Sequence, residues 1–316
     1  MNTPLVTVGV VTYNSSEFIE ETLDSIYNQD YQNIELIVSD DCSTDNTVEI
    51  CMDWINKKGS RFVRCKIVTT DKNTGVSGNS NRALNEARGE WYKCFDGDDV
   101  LLPDAISSYL GFIEQNPDCT HVAAKIASFD EEEPTSDYSL VRYMTRPSVT
   151  ARKQYEVMSK TLYVECPTYF AETQLIREVG GFDEAFPMQE DHPLLIRMMY
   201  AGNRMGFLDK ETVKYRVRTT SISHTINTNS IFPKNRIRMY LEYKMRYREY
   251  GCTFIWKCLN RLSVLMCSWV IKSGNNRRTI MCNVFYAIHR LFDPYNWYNR
   301  YIQTLAKKYE RRYYVI

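Results

Sequence analysis

The first third of the chain alternates short apolar runs with amphipathic stretches of helical period. Residues 5–12 (L-V-T-V-G-V-V-T) are rich in β-formers and predict a first strand. Tyr13 and Asn14 leave it. Asn14 and Glu17 stand at capping-box spacing, and residues 18–29 carry helical periodicity. Residues 34–38 predict a second strand that runs into Ser39-Asp40-Asp41-Cys42, with a helix following through residue 56. Residues 65–69 predict a third strand, and the loop 71–78 leads into a helix through Arg88 that Gly89 stops. Residues 91–95 are aromatic-rich and predict a buried fourth strand. Such alternation predicts a parallel sheet with right-handed crossovers. Ligands of such sheets bind beyond the carboxyl ends of the strands, so Tyr13, Asp41 and Asp96 should converge on one rim.

Further on, residues 103–115 read as a helix ended by Asn116-Pro117, and residues 121–129 as a strand. The acidic run 130–133 reads as solvated surface and 134–147 as an irregular loop. Residues 173–179 predict a short helix closed by Gly180-Gly181. Glu190 and Asp191 precede a helix over 192–200, where acidic residues also suit the helix dipole. From Ile231 the character changes: Lys and Arg alternate with Met, Tyr, Leu and Trp. The chain therefore divides into an α/β body, 1–230, and a basic, aromatic-rich helical region, 231–316.

Composition sharpens that division. At 44% hydrophobic and 25% charged, 316 residues can bury a sizeable core. The net charge of zero hides an asymmetry: residues 231–316 hold 17 Lys plus Arg against 4 Asp plus Glu, a net of +13, leaving 22 against 35 in the rest, a net of −13. A basic region on an acidic body suggests an anionic partner. A basic face with Trp and Leu opposite suits a helix lying in an anionic membrane interface. The plain alternatives are a subdomain that packs its aromatics on the body and a homodimer surface. No RNA- or DNA-binding module is recognisable, so nucleic acid is set aside. The ten cysteines show no C-x-x-C spacing, which argues against a zinc site or redox pair and for a reducing, cytoplasmic compartment. The first strand starts almost at once, so no signal peptide is expected. No apolar run reaches transmembrane length; residues 262–271 come nearest.

The chemistry concentrates in residues 91–104, W-Y-K-C-F-D-G-D-D-V-L-L-P-D. Asp96, Asp98 and Asp99 repel one another unless a cation sits between them. Mg2+ and Mn2+ accept such oxygens, typically one or two carboxylates plus substrate phosphates. The plain alternative is an acidic turn before a helix that Pro103 helps to start. Neither G-x-G-x-x-G nor a P-loop follows the first strand; Thr12-Tyr13-Asn14 stands there instead. A tyrosine at a strand end can stack on a base or simply pack. Asp41 could accept a hydrogen bond from a base imide N–H.

The segments V-V-T-Y-N, V-S-D-D-C-S-T-D-N-T, N-T-G-V-S, F-D-G-D-D, G-G-F-D-E and Q-E-D, in this order over about residues 6–223, resemble the family 2 glycosyltransferases of the GT-A fold. The resemblance implies an α/β, Rossmann-like fold with a mixed, mainly parallel sheet, helices on both faces, and a C-terminal helical region. It implies an inverting, metal-dependent enzyme that moves a sugar from a UDP-sugar to a hydroxyl of a saccharide or lipid-linked saccharide acceptor, in surface polysaccharide synthesis. By the same resemblance Tyr13 flanks the uracil and Asp41 bonds its imide, with Thr12, Asn14 and Asn73 on the same nucleotide-binding rim. Asp96 contacts the ribose, Asp98 and Asp99 meet Mg2+ or Mn2+, and Asp191 is the catalytic base. Glu190 and His192 are candidates for acceptor contact. Arg216 and His224 belong to a segment, Tyr215-Arg216 then Ser221-Ile222-Ser223-His224, that resembles the family's nucleotide lid. One departure stands out: Ser80-Asn81 replaces the family's frequent Arg-Asn, and Arg82 could substitute from one helical step away. Two rival readings remain. A sugar-nucleotide nucleotidyltransferase usually has a Gly- and Arg-rich loop after the first strand, which this chain lacks. A degenerate nucleotide-binding scaffold fits poorly with Asp96, Asp98, Asp99 and Asp191 all in place.

Overall fold

A computed structural model describes residues 3–129, 137–161, 164, 166–186, 190–216, 253–259 and 294–313, with single positions at 261, 262, 265, 280, 284, 287, 288 and 291. The apolar runs read from the sequence become β1 (Val6–Thr12), β2 (Ile34–Asp40), β3 (Arg64–Val68) and β4 (Trp91–Asp96). All four are parallel, with β1 between β2 and β4. β5 (Val100–Leu101), β6 (Cys119–Ser128), β7 (Phe170–Glu172) and β8 (Arg204–Tyr215) complete an eight-stranded sheet in the order β3-β2-β1-β4-β7-β6-β8-β5. β7 runs antiparallel to both β4 and β6, β5 antiparallel to β8, and β6 parallel to β8. The expected mixed, mainly parallel sheet is what forms.

Helices cover both faces. α1 (Ile19–Tyr27), α2 (Thr47–Lys58) and α4 (Ala105–Gln115) bury Ile26, Trp54 and Tyr109 in one core with Val6, Val8 and Val10. α3 (Gly75–Glu86), α6 (Ala151–Met158), α7 (Thr173–Glu178) and α8 (Asp191–Tyr200) enclose a second core around Tyr92. Gly9 makes room for that ring: a Cβ there would lie 2.2 Å from Tyr92 Oη.

Three details differ from the sequence-based expectation. α1 starts at Ile19 without a side-chain cap, so Asn14 and Glu17 form no capping box; Asn14 instead adopts φ 49°. Residues 134–147 are not all loop, because α5 (Ser139–Met144) forms there. Its Leu140 and Met144 gain a tertiary partner in Ile302 and Ala306 of α9 (Pro294–Tyr313). Ion pairs Arg142–Glu310 and Lys307–Asp137 flank this contact, and the Arg146 guanidinium lies 3.9 Å from the Tyr143 ring centroid and 4.6 Å from that of Tyr309. Third, β5, β7, β8 and α6 were not foreseen. Among the described residues no helix is long and apolar enough to cross a membrane.

Candidate functional site

The carboxyl ends of β1, β2 and β4 meet on one rim, as the alternation predicted. Thr12 closes β1 with its hydroxyl on Asp40 Oδ2 at 2.9 Å, and its side chain is buried. The next residue, Tyr13, is 50% exposed, an uncovered aromatic ring at the strand end. The left-handed turn at Asn14 lets its backbone N–H donate to Ser43 Oγ (2.8 Å) while Oδ1 accepts from the Thr44 N–H (2.8 Å). The loops after β1 and β2 are thereby tied together. Asn73 is exposed on the approach to α3, with Oδ1 accepting from the Gly75 N–H at 3.1 Å.

Asp41 is placed differently from a free acceptor. Its carboxylate is buried and takes the Thr74 N–H (2.9 Å), the Thr74 hydroxyl (2.6 Å), the Gly75 N–H (2.8 Å) and Arg82 Nη2 (3.2 Å). A carboxylate offers about four lone-pair sites, so these donors nearly saturate it. A base imide can reach Asp41 only by displacing one of them. Arg82, one helical step from the departed Arg position, also donates to Asn79 Oδ1 at 2.8 Å and so sits on the rim.

The acidic turn follows β4. Gly97 packs its backbone onto β1, donating to the Val11 carbonyl at 3.0 Å; a Cβ there would lie 2.8 Å from Thr12 Cγ2. Asp96 and Asp98 are half-buried at the rim, whereas Asp99 is fully buried. Asp99 Oδ1 accepts the Arg216 N–H at 2.9 Å, but Oδ2 is buried without a hydrogen-bond partner. Burial, then the charges of Asp96 and Asp98, push the Asp99 carboxyl up to about 8, against the pull of the Arg216 N–H and the Lys93 ammonium. Arg216, at the end of β8, clamps this turn. Its Nε donates to the Asp98 carbonyl at 2.8 Å, its Nη2 pairs with Glu21, and its guanidinium lies 4.5 and 4.0 Å from the ring centroids of Phe18 and Phe129. His224 lies outside the described residues.

The start of α8 brings the second carboxyl pair to the same region. Burial first, then the Asp191 and Asp96 charges, push the Glu190 carboxyl well above the usual carboxylate range. Asp191 Oδ1 accepts the His192 N–H at 2.5 Å, and His192 Nε2 lies 3.2 Å from the Met158 carbonyl, tying α8 to α6. Two α3 side chains that the sequence reading left without a role hold the loop before α8. Asn81 donates to the Phe182 carbonyl (2.9 Å) and accepts its N–H (2.8 Å), and the Ser77 hydroxyl donates to the Phe186 carbonyl at 2.6 Å. One helix therefore connects the Asp41 loop to the segment leading to Asp191. The only sequence signal for Asn81 was its place beside the departure at Ser80.

The sequence model described as Glycosyl transferase family 2 matches residues 7–178, more than half of the chain. The chain belongs to this family. The match runs from β1 through α7 and ends before α8. An uncharacterized glycosyltransferase of Haemophilus influenzae is 25% identical over 302 residues, covering 92% of this chain and 88% of that one. The poly(ribitol-phosphate) beta-N-acetylglucosaminyltransferase TarS of Staphylococcus aureus is 27% identical over 215 residues, covering 67% of this chain and 35% of TarS. The crystal structure of TarS 1-349 with UDP-GlcNAc superposes with TM-score 0.62 at 22% identity, over 83% of this chain and 72% of that one. The mannosyltransferase PcManGT of Pyrobaculum calidifontis, in complex with GDP-Man and Mn2+, gives 0.60 at 18% identity, over 99% and 88%. At these identities the structural likeness speaks for the fold alone.

Proposed function

We propose that this family 2 glycosyltransferase is an inverting enzyme that moves a sugar from a UDP-sugar to a hydroxyl of a saccharide or lipid-linked saccharide acceptor in surface polysaccharide synthesis. The observation that carries the reading is the meeting, on one rim, of an exposed tyrosine, an acidic turn and a helix that starts with a carboxyl pair. The UDP-GlcNAc complex of TarS supports the choice of donor.

In this reading Tyr13 supplies the ring against which uracil stacks, with Asn14 and Asn73 exposed beside it and Asp96 turned to the ribose. Thr12 acts through the loop it holds. Asp41 receives the imide once Arg82 gives up its bond; of the four donors only the two side chains, the Thr74 hydroxyl and Arg82, can move without disturbing the backbone of the α3 start, and the Arg82 bond, at 3.2 Å, is the longest. The acidic turn fits Mg2+ or Mn2+ because Asp99 Oδ2 is buried with no donor facing it. Among the described residues no three His, Cys, Asp or Glu groups could hold a metal by themselves. That suits a cation which takes one or two carboxylates, Asp98 and Asp99, and completes its shell on the donor's phosphates. When bound there it offsets the negative charge of the leaving diphosphate. The Mn2+ complex of the neighbour PcManGT supports the use of a divalent cation. The free thiols among the described cysteines suit a reducing compartment, so we place the reaction in the cytoplasm.

The acceptor oxygen forms the new bond to the anomeric carbon as the bond from that carbon to the diphosphate oxygen breaks, and its proton passes to Asp191. Burial disfavours the ionised form of Glu190, which favours Asp191 as the base of the pair. Asp191→Asn should lower turnover by roughly a hundredfold or more with UDP binding retained. Glu190→Gln should cost less. A dead Glu190→Gln beside an active Asp191→Asn would move the role to Glu190, and full activity in both would overturn the assignment.

A further inference from the structure

Of the fifteen large apolar side chains exposed among the described residues, ten belong to residues 254–301. They are not scattered. Residues 254–259 are helical, and Phe254, Leu262 and Leu265 stand at i, i+8 and i+11, a spacing that suits one helical face. Ile280, Val284, Ile288 and Leu291 follow i, i+4, i+8, i+11, a second stripe of the same kind. The other side of the region is already packed. Trp256 meets Tyr298 edge-on at 5.6 Å, Lys160 Nζ lies 5.2 and 5.3 Å from those two ring centroids, and Ile302 and Ala306 are buried on α5. Among the described residues, packing on the body thus accounts for one set of side chains and leaves the other exposed.

The charge says what covers it. Residues 231–316 carry a net of +13, and Arg261, Arg300, Lys308 and Arg311 are exposed. A second copy docked by a two-fold would set like charges against each other, whereas an anionic lipid surface attracts them. Trp297 and Tyr301 are exposed one helical turn apart on α9, the residue types that settle at a bilayer interface. Leu291, Trp297 and Arg300 line a cavity of about 310 Å3, an apolar slot with a guanidinium in its wall. No described helix can cross a bilayer. We infer that the exposed described side chains between Phe254 and Arg311 dock on an anionic lipid bilayer and lie in its interface. Such docking would hold the enzyme beside a lipid-linked acceptor, an acceptor class that rests on the proposed function.

The test is sedimentation of the chain with vesicles of phosphatidylglycerol in phosphatidylcholine, against vesicles of phosphatidylcholine alone. The parent should pellet with the anionic vesicles at low salt, leave them at high salt, and stay in solution with the neutral ones. The double variant Leu265→Ser, Leu291→Ser should bind the anionic vesicles at least about tenfold more weakly, with UDP binding and Tm unchanged. A parent that never pellets, or a variant that pellets equally well, overturns the inference. So does a parent found dimeric by light scattering whose variant is monomeric, since the face would then belong to a second copy. Vesicle binding needs no turnover and UDP binding needs no vesicle, so failure of the docking and failure of the donor reading are told apart.

Discussion

Replacing Asp99 with Asn should make the metal-free protein more stable at neutral pH. The Asp99 side chain is fully buried, Oδ2 has no hydrogen-bond partner, and the carboxyl is pushed from 3.8 up to about 8. Because the folded value lies above the unfolded one, the group's stabilising contribution is complete below pH about 4 and is lost as pH rises to about 8. At about 1.4 kcal/mol per pKa unit, the loss at pH 7 is about 4 kcal/mol. Asn cannot ionise and keeps an acceptor for the Arg216 N–H, but its amide replaces Oδ2 where nothing accepts, which costs about 1–3 kcal/mol. The net gain is about 1–3 kcal/mol at pH 7, enough to raise Tm by several degrees. Thermal unfolding in EDTA, at about pH 5 and about pH 8, reads this directly. The parent should lose Tm relative to Asp99→Asn between the two, and Mn2+ with UDP should raise the parent's Tm more than the variant's. A variant less stable than the parent at the higher pH would refute the reasoning.

Because the imide takes the place of Arg82 on Asp41, Arg82→Ala should tighten UDP binding, by up to about tenfold in calorimetry, while the Thr74 and Gly75 donors keep the turn in place; a weakened affinity would show that the Arg82 bond is not the one displaced. His121 is buried within β6, and burial holds its imidazole down to about 3. Its contribution to stability is present above the unfolded value of 6.5 and is lost as pH falls toward 3, so His121→Leu should remain folded to a lower pH in an acid titration followed by circular dichroism.

The body's first four strands were legible because three of them, β1, β2 and β4, are apolar runs buried on both faces between helix layers, where no polar alternation confuses the pattern. β5 and β7, of two and three residues, are too short for any period to show. β8 carries Asp209-Lys210-Glu211 at its centre, exposed where its pairing with β6 shifts register, so its composition reads as loop. α5 depends on α9, far along the chain. The site divides the same way. Tyr13, Asp41 and Asp96 could be placed on one rim because each ends or follows a strand. The saturation of Asp41 by donors 33 to 41 residues away could not be read, nor the Arg216 clamp on Asp99 across 117 residues, nor the hold of Asn81 on Phe182 across 101. These contacts exist only once the sheet order has brought the loops together.

The most direct test of the UDP-sugar reading is to offer the purified protein a panel of UDP-, GDP- and CMP-sugars with Mn2+ and a saccharide acceptor mixture, and to measure the nucleotide released. UDP from at least one UDP-sugar, lost in EDTA and strongly reduced in Asp191→Asn, is the expected result. Preferential release from a GDP- or CMP-sugar, or UDP release undiminished in EDTA, would contradict it.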